Sequence, residues 1–226
     1  MSYLSSHEEI DSPPPLFFCV DAVTAFGALP LNCSYRFKIK SAELTDNVYD
    51  EQACESFQDF CAASALRTNI GKPQEQLLNR CSLSRDCFSG DYSFTAGNGK
   101  FFQTKNDCCN TELCNNATLS LPDRNLLAEN GLQCPACYSN GTKRCKSEKT
   151  INCLENETQC VDFQGALNIA LIQLHKFTFQ GCGTTDFCAI QKNERRTIRF
   201  GNFLLFVKQI SCYNDSQISH QLEHEG

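Results

Sequence analysis

Two neighbouring cysteines, Cys108 and Cys109, constrain this chain more than any other feature of the sequence. Adjacent half-cystines cannot bond each other without strain, because disulfide geometry needs separated Cα atoms. The two side chains must therefore go to different partners. Cys109 can close a tight local ring with Cys114, while Cys108 reaches back to an earlier strand. The run that ends at Asn115 thus predicts a covalent knot at the end of a small module.

The number of cysteines points to an oxidising compartment. Seventeen in 226 residues would not persist as disulfides in a reducing cytosol. Zinc is the competing explanation, but the Cys134-x2-Cys137 pair has no second close pair beside it, and the histidines are scattered. We therefore expect no metal and no cofactor. Five sequons predict glycosylation in an extracellular, secreted protein: Asn32, Asn116, Asn140, Asn156 and Asn214.

The first 28 residues fit a degenerate signal region or a disordered tail. Leu16–Gly27 is mildly apolar and ends in small residues, but Asp21 interrupts it and no basic residue precedes it. Pro13–Pro15 favours the tail. Both interpretations stay open.

Charge and hydropathy exclude some partners. The net charge is −6 with both signs mixed, so no basic face for a nucleic acid is expected. No apolar run approaches the length of a transmembrane helix. Residues 214–226 form a polar tail without the hydrophobic stretch of a lipid-anchor signal. We expect no membrane anchor.

The spacing of the cysteines repeats in the two halves of the chain, with a period of about 90 residues. Each copy is small and buries little apolar surface, so disulfides are expected to substitute for a core. Arg36 stands where the second cysteine of the repeat would be, and no cysteine lies near the third position, so the first copy lacks two of the cysteines of the second. The recurring intervals are Cys54–Cys61 with Cys153–Cys160 and Cys81–Cys87 with Cys182–Cys188.

Between the cysteines the sequence predicts strands and hairpins. Gly97–Gly99 and Gly201-Asn202 are turn signals between β-prone runs. Lys176–Gln180 alternates polar and aromatic residues, as a half-buried strand does. The runs that flank the two turns are Asp91–Thr95 with Lys100–Thr104 and Thr197–Phe200 with Phe203–Val207. The predicted fold class is small, disulfide-rich and all-β.

No catalytic constellation is visible. His175 has no nucleophile beside it in the sequence. The segment Asn110–Leu113, which follows the cysteine pair, contains no histidine that could activate water. We expect no enzyme activity. Exposed loops on a rigid disulfide base favour binding instead.

The chain resembles the gamma-type phospholipase A2 inhibitors in three features. These are the cysteine knot at Cys108–Asn115, the tandem repeat and the sequence of the segment Asn130–Cys137. The inhibitors are secreted two-module members of the Ly-6/uPAR (LU, three-finger) family. The likeness covers roughly residues 54–212. It implies two tandem three-finger modules at residues 29–115 and 134–213, with a linker at 116–133.

The resemblance also implies a disulfide pairing. Cys19 is left over in that arrangement and lies in the N-terminal region. The implied pairs are Cys134–Cys160, Cys137–Cys145, Cys153–Cys182 and Cys188–Cys212 in the second module, and Cys33–Cys61, Cys54–Cys81, Cys87–Cys108 and Cys109–Cys114 in the first.

The function implied by the family is inhibition of a secreted phospholipase A2 by binding, with no catalytic activity of the inhibitor itself. In that family a Pro-rich apolar stretch between the modules is implicated in contacting the enzyme. The matching stretch here departs from the family by having one proline and two charges. Its expected partner-binding residues are Leu119, Leu121, Pro122, Leu126 and Leu127.

Two alternatives stay open. The linker leucines could pack the modules against each other. The scaffold could also serve a secreted signalling or receptor-binding protein, pheromone-like or protease-receptor-like, without phospholipase inhibition. The apolar middle finger of the second module, Ala166–Leu174, would then be a candidate surface. A homo- or hetero-oligomer is compatible with either function.

Overall fold

Strands make up most of the computed structural model, which describes residues 30–41, 45–147, 149–169, 173–192 and 197–214. The predicted all-β class is confirmed. A helix, α1 (Thr185–Lys192), follows the eleventh strand, and no helix in the described ranges has the length and apolarity to cross a bilayer. The strands are β1 (Asn32–Ser41), β2 (Thr45–Ala53), β3 (Phe60–Thr68), β4 (Gln74–Ser82), β5 (Gly90–Asp91), β6 (Phe94–Ala96), β7 (Phe101–Cys109), β8 (Glu129–Asn140), β9 (Lys149–Leu154), β10 (Gln159–Ile169), β11 (Gln173–Gly183), β12 (Thr197–Phe200) and β13 (Phe203–Tyr213).

The two halves of the chain repeat one pattern of antiparallel hairpins. In the first half, β1 pairs with β2, β3 pairs with β4, and β7 lies on the other side of β3. In the second half, β8 pairs with β9, β10 pairs with β11, and β13 lies on the other side of β10. Each half is therefore a set of hairpin fingers whose strands converge on cysteines.

Strand pairing joins the two halves into one sheet. The last residues of β11 pair with β6, in the register Gly181 opposite Ala96 and Gly183 opposite Phe94. A side chain at 181 cannot fit, because a Cβ there would lie 2.0 Å from the carbonyl oxygen of Thr95. The β12–β13 turn also contacts β4, because the backbone N–H of Asn202 donates to Gln76 Oε1 at 3.3 Å. The halves are thus joined by backbone as well as by side chains.

The main hydrophobic core is shared by both halves. Phe94 from the first half stacks on Phe179 from the second, with ring centroids 4.2 Å apart. The expectation that disulfides stand in for a core is therefore incomplete, because two small units bury one aromatic core between them. Its members include Leu66, Ile70, Phe94, Phe102, Phe163, Leu167, Phe177, Phe179, Phe187, Phe200, Phe203 and Leu205.

Some of the disulfides form clusters of their own. Two clusters of buried cysteines, one in each half, stand apart from the aromatic core, whereas Cys188 belongs to that core and Cys212 packs against it. Cys19 lies outside the described residues. The bridges in the described chain are Cys33–Cys61, Cys54–Cys81, Cys87–Cys108, Cys109–Cys114, Cys134–Cys160, Cys137–Cys145, Cys153–Cys182 and Cys188–Cys212, the same pairs that the family resemblance implies.

Both predicted hairpins are present. At the first turn, Asn98 and Gly99 have positive φ angles of 59° and 65°, which glycine and asparagine tolerate best. The strand predicted over Asp91–Thr95 is interrupted at Ser93. The backbone N–H and carbonyl of Ser93 form hydrogen bonds with Thr184 of the other half and not with a neighbouring strand. The half-buried strand expected over Lys176–Gln180 is present in β11 with one exception. Lys176 is exposed while Phe177 and Phe179 are buried, but Thr178 is buried as well, and its hydroxyl donates to the carbonyl oxygen of Lys143.

Candidate functional site

The segment between the two halves forms hydrogen bonds with both of them. The Pro122 carbonyl oxygen accepts hydrogen bonds from Arg67 Nη1 at 3.2 Å and from Gln103 Nε2 at 3.4 Å, both in the first half. The backbone N–H of Ala128 donates to Glu155 Oε1 of the second half at 3.0 Å. We call residues 119–128 the linker strap. It is held in one position relative to both halves.

A tight turn within the linker strap presents one leucine to solvent. Asp123 Oδ1 accepts from the backbone N–H of Asn125 at 3.0 Å and so caps a 3-10 turn over Arg124–Leu126. Leu126, at the end of this turn, is 81% exposed. Of the five residues expected to bind a partner, Pro122 and Leu126 are exposed, whereas Leu119, Leu121 and Leu127 are half-buried.

A polar chain runs beneath the linker strap. The Arg124 guanidinium lies over the Phe101 ring, 4.5 Å from its centroid, and donates to the hydroxyl of Thr95. That hydroxyl donates to Glu157 Oε1, while Glu157 Oε2 accepts from the backbone N–H of Leu154 at 3.1 Å. Linker, first half and second half are therefore connected through Thr95.

Burial shifts the pKa values at both ends of this chain. Glu157 is 3% exposed, and desolvation raises the pKa of its carboxyl above the ordinary 4.5 against the opposing pull of its hydrogen bonds from Thr95 and Leu154. Desolvation likewise lowers the pKa of Arg124, and the charge of Glu157 opposes this. Because both groups are buried, we interpret the chain as a structural connection between the halves and not as a site of acid–base chemistry.

A cavity of about 440 Å³ opens beside this polar chain. Its walls come from the first half, the linker strap and the second half, so it exists only because the halves are docked. We call it the junction cavity. Its lining residues are Asp91, Ser93, Gln103, Pro122, Arg124, Leu127, Leu154, Glu155, Asn156 and Glu157.

The sequon asparagines differ in their surroundings. Asn32 is half-buried, and its Nδ2 donates to Glu112 Oε1 at 2.5 Å. Asn156 lies at the junction cavity, where its Nδ2 donates to Asp91 Oδ2 at 2.8 Å. The exposed sequon asparagines are Asn116, Asn140, Asn156 and Asn214.

The apolar middle finger of the second half divides between core and surface. Leu167 is fully buried, whereas Leu174 is 53% exposed; residues 170–172 lie outside the described part. The adjacent His175 is not a simple surface residue, because its Nε2 is buried against Gly71 without a hydrogen-bond partner among the described residues. A second cavity of about 500 Å³ lies beside it.

Cysteine clusters that resemble metal sites are disulfides. The sulfurs of Cys33, Cys54 and Cys81 lie within 4.8 Å of one another, as do those of a matching trio in the second half. Each of these sulfurs belongs to a bridge, so none is a free thiolate ligand.

Sequence reasoning missed the polar chain and the junction cavity. Thr95, Arg124 and Glu157 come from segments far apart in the chain, and no local motif marks them. The available signal was Arg124 itself, one of the two charges that break the apolar character of the linker.

Comparison with known proteins decides the family. The profile of the u-PAR/Ly-6 domain matches residues 40–117 and again 130–220, which is more than half of the chain. The chain belongs to the u-PAR/Ly-6 family. The tandem three-finger architecture expected from the sequence is confirmed by this double match together with the all-β fold.

Relatives of this u-PAR/Ly-6 protein have names that state different functions. Phospholipase A2 inhibitor NAI from Notechis ater is 25% identical over 62% of this chain and 68% of its own length. The urokinase plasminogen activator surface receptor from Bos taurus is 36% identical over 58% of this chain and 37% of its own length. The crystal structure of mouse TEX101 aligns with a TM-score of 0.36 and 19% identity, covering 80% of this chain and 97% of that chain.

Proposed function

We propose that this protein is an extracellular, glycosylated binding protein without catalytic activity, and that it binds and inhibits a secreted phospholipase A2. The observation that carries the proposal is the linker strap, which holds Leu126 81% exposed on a rigid support. An exposed leucine on a preorganised turn loses little freedom on binding. The relatives named as phospholipase A2 inhibitors support this choice of partner.

The mechanism we propose is occlusion. A secreted phospholipase A2 must seat a lipid interface against the mouth of its substrate channel, which is ringed by apolar side chains. Leu126 and Pro122 would cover part of that ring and exclude the membrane. Inhibition then needs no reaction on the inhibitor, and it should disappear when the contact is lost.

A leucine substitution tests this proposal. We expect Leu126→Ser to weaken binding of a purified secreted phospholipase A2 by about 5- to 30-fold, because roughly 1–2 kcal/mol of apolar contact is lost. Inhibition of vesicle hydrolysis should fall by the same factor. Phe57, which is 65% exposed in the β2–β3 connection, provides the matched control: Phe57→Ser should leave both unchanged. Equal affinity of the Leu126 variant and the unsubstituted protein would refute the role of the linker strap.

A second candidate function is binding to a cell-surface or signalling receptor. It is favoured by the higher identity, 36%, to the bovine urokinase receptor and by the exposed Leu174 on the middle finger. If no secreted phospholipase A2 binds at micromolar concentration, this alternative replaces inhibition. Leu174→Ser should then reduce binding to the receptor, while Leu126→Ser should not.

A further inference from the structure

We infer that the first sugar of an N-linked glycan on Asn156 occupies the junction cavity and helps to hold the two modules together. This inference rests on the proposed function only in requiring a glycosylated, extracellular protein, and it does not depend on the phospholipase A2 partner. Asn156 is the first residue of the sequon Asn156-Glu157-Thr158, and it lines the cavity.

Asn156 lies in a tight turn where the folded chain has room for a glycan. The turn joins β9 to β10, and within it the backbone N–H of Glu157 donates to the carbonyl oxygen of Leu154 at 2.8 Å. Glu155 adopts a positive φ of 45° there. Asn156 is exposed, whereas Asn32, another sequon asparagine, is half-buried. An exposed turn suits a bulky, solvated glycan.

The covalent step leaves the observed hydrogen bond of the asparagine in place. Asn156 Nδ2 donates to Asp91 Oδ2 at 2.8 Å, and a side-chain amide nitrogen carries two hydrogens. In N-glycosylation this nitrogen displaces a lipid-linked diphosphate from C1 of N-acetylglucosamine. The N–C1 bond forms, the C1–O bond to the diphosphate breaks, and one amide proton is released. The remaining N–H can still donate to Asp91, which keeps the attached sugar at the cavity.

The walls of the junction cavity fit a sugar ring. Pro122, Leu127 and Leu154 offer apolar surface to the C–H face of the ring and to its acetyl methyl group, while the carboxylates of Asp91 and Glu155 can accept from its hydroxyls. Small-molecule sites commonly combine apolar walls with a few polar groups. The volume of about 440 Å³ lies within the roughly 300–1,000 Å³ that such sites occupy.

A sugar attached at the cavity needs little affinity of its own. A short tether raises the effective concentration of a group near its site to the millimolar range, so weak contacts suffice for occupancy. The walls of the cavity belong to the first module, the linker strap and the second module. A sugar between them therefore contacts both modules, and its loss should lower the stability of their junction.

Thermal unfolding of protein that carries trimmed glycans tests this inference. We would secrete the full chain from vertebrate cells that make oligomannose glycans and treat it with endoglycosidase H, which leaves one N-acetylglucosamine on each occupied asparagine. Thr158→Ala removes the sequon and keeps Asn156 with its hydrogen bond to Asp91, whereas Thr158→Ser keeps the sequon. The trimmed Thr158→Ala variant should melt about 2–4 °C below both the unsubstituted protein and Thr158→Ser. Equal melting temperatures, or an Asn156 that mass spectrometry finds unoccupied in the unsubstituted protein, would overturn the inference.

Two further variants separate the sugar from other causes of a lower melting temperature. Asn156→Gln also removes the sugar but keeps the hydrogen bond between the Thr158 and Thr185 hydroxyls, so it should melt as low as Thr158→Ala. Ser216→Ala removes the sequon of Asn214 and should leave the melting temperature unchanged. The inference is wrong if Asn156→Gln is as stable as the unsubstituted protein, or if Ser216→Ala loses as much as Thr158→Ala.

A leucine of the cavity wall locates the sugar. In a Leu127→Ala background, the loss caused by Thr158→Ala should shrink by about half or more, because the sugar and this wall are in contact. Leu126 is the matched control, since it is 81% exposed and does not line the cavity. In a Leu126→Ala background the full loss should persist. An undiminished loss in the Leu127→Ala background would place the sugar outside the cavity and overturn the inference.

The outcomes distinguish this inference from the inhibition of a phospholipase A2. If the sugar stabilises the junction but no secreted phospholipase A2 binds, inhibition fails and the inference stands. If the enzyme binds while Asn156 is unoccupied, or while removal of its sugar leaves the melting temperature unchanged, inhibition stands and the inference is wrong.

Discussion

Glu157 shows how a single buried residue connects distant parts of this molecule. Its carboxylate meets the Thr95 hydroxyl of the first module and the Leu154 backbone of its own module. Arg124 of the linker reaches it through Thr95. A buried carboxylate with few strong partners is costly when ionised, and its pKa is accordingly raised by desolvation.

This raised pKa predicts a pH dependence of stability. Well below the ordinary pKa of 4.5 the carboxyl is protonated in the folded and unfolded chains alike. As the pH rises, the unfolded chain ionises first, so this group's contribution to stability falls until the pH passes the folded pKa. Glu157→Gln should remove that fall. We expect the variant to gain stability relative to the unsubstituted protein as pH increases from 4 to 8, measured by denaturant unfolding. A difference that stays constant with pH, or one shared by Glu155→Gln, would contradict this.

The local sequence predicts the individual strands and turns correctly except where they contact the other module. The turn at Gly97–Gly99 forms as its composition predicts. The strand before it does not continue, because Asp91 and Ser93 bond to Asp186 and Thr184 at the start of α1. The helix itself is capped by Thr184, whose hydroxyl accepts from the backbone N–H of Phe187 at 3.3 Å. Element boundaries at the junction are therefore set by partners remote in the sequence.

The pairing of β11 with β6 depends on a missing side chain, which gives a test. Gly181→Ala would place a Cβ 2.0 Å from the Thr95 carbonyl oxygen, so β6 must move away. We expect a loss of about 2–4 kcal/mol in the free energy of unfolding. Gly99→Ala is the control: it meets no atom within 4 Å but has a φ of 65°, so it should cost about 1 kcal/mol. Equal losses would show that steric contact at the β11–β6 pairing is not decisive.

At the scale of the whole molecule, two modules share one aromatic core. Phe94 of the first module contacts the rings of Phe163, Phe177, Phe179 and Phe187 of the second. A module separated from its neighbour would expose these rings to water. The modules should therefore unfold together, with the linker strap and the junction cavity depending on the same contacts.

Truncation of Phe94 tests this dependence. Phe94→Ala should lower the free energy of unfolding by about 3–5 kcal/mol and split a single calorimetric transition into two. The exposed Phe57→Ala should stay within about 0.5 kcal/mol of the unsubstituted protein. If the Phe94 variant unfolds in one transition with little loss of unfolding free energy, contacts outside the aromatic core hold the modules together.

The covalent framework gives a further prediction at this scale. Peptide mapping under non-reducing conditions should recover the eight bridges of the described chain and leave Cys19 outside them. Each bridge removes conformations of the unfolded chain and contributes about 2–4 kcal/mol. A free thiol among the sixteen bridged cysteines, or Cys19 joined to Cys33, would show that the first module is assembled differently.

The sequence by itself determined the fold class, the tandem repeat and both hairpin turns, because cysteine spacing and turn residues act over short distances. It also indicated the linker, whose composition is local. Only the tertiary structure decided how the modules meet. Nothing in the local sequence marks Phe94 and Phe179, whose rings stack across the two halves, as partners, and Asp91, Gln103 and Glu155 carry no shared motif. Their meeting depends on the pairing of β11 with β6 at Gly181, which joins the two halves into one sheet and is a non-local contact that no window of sequence contains.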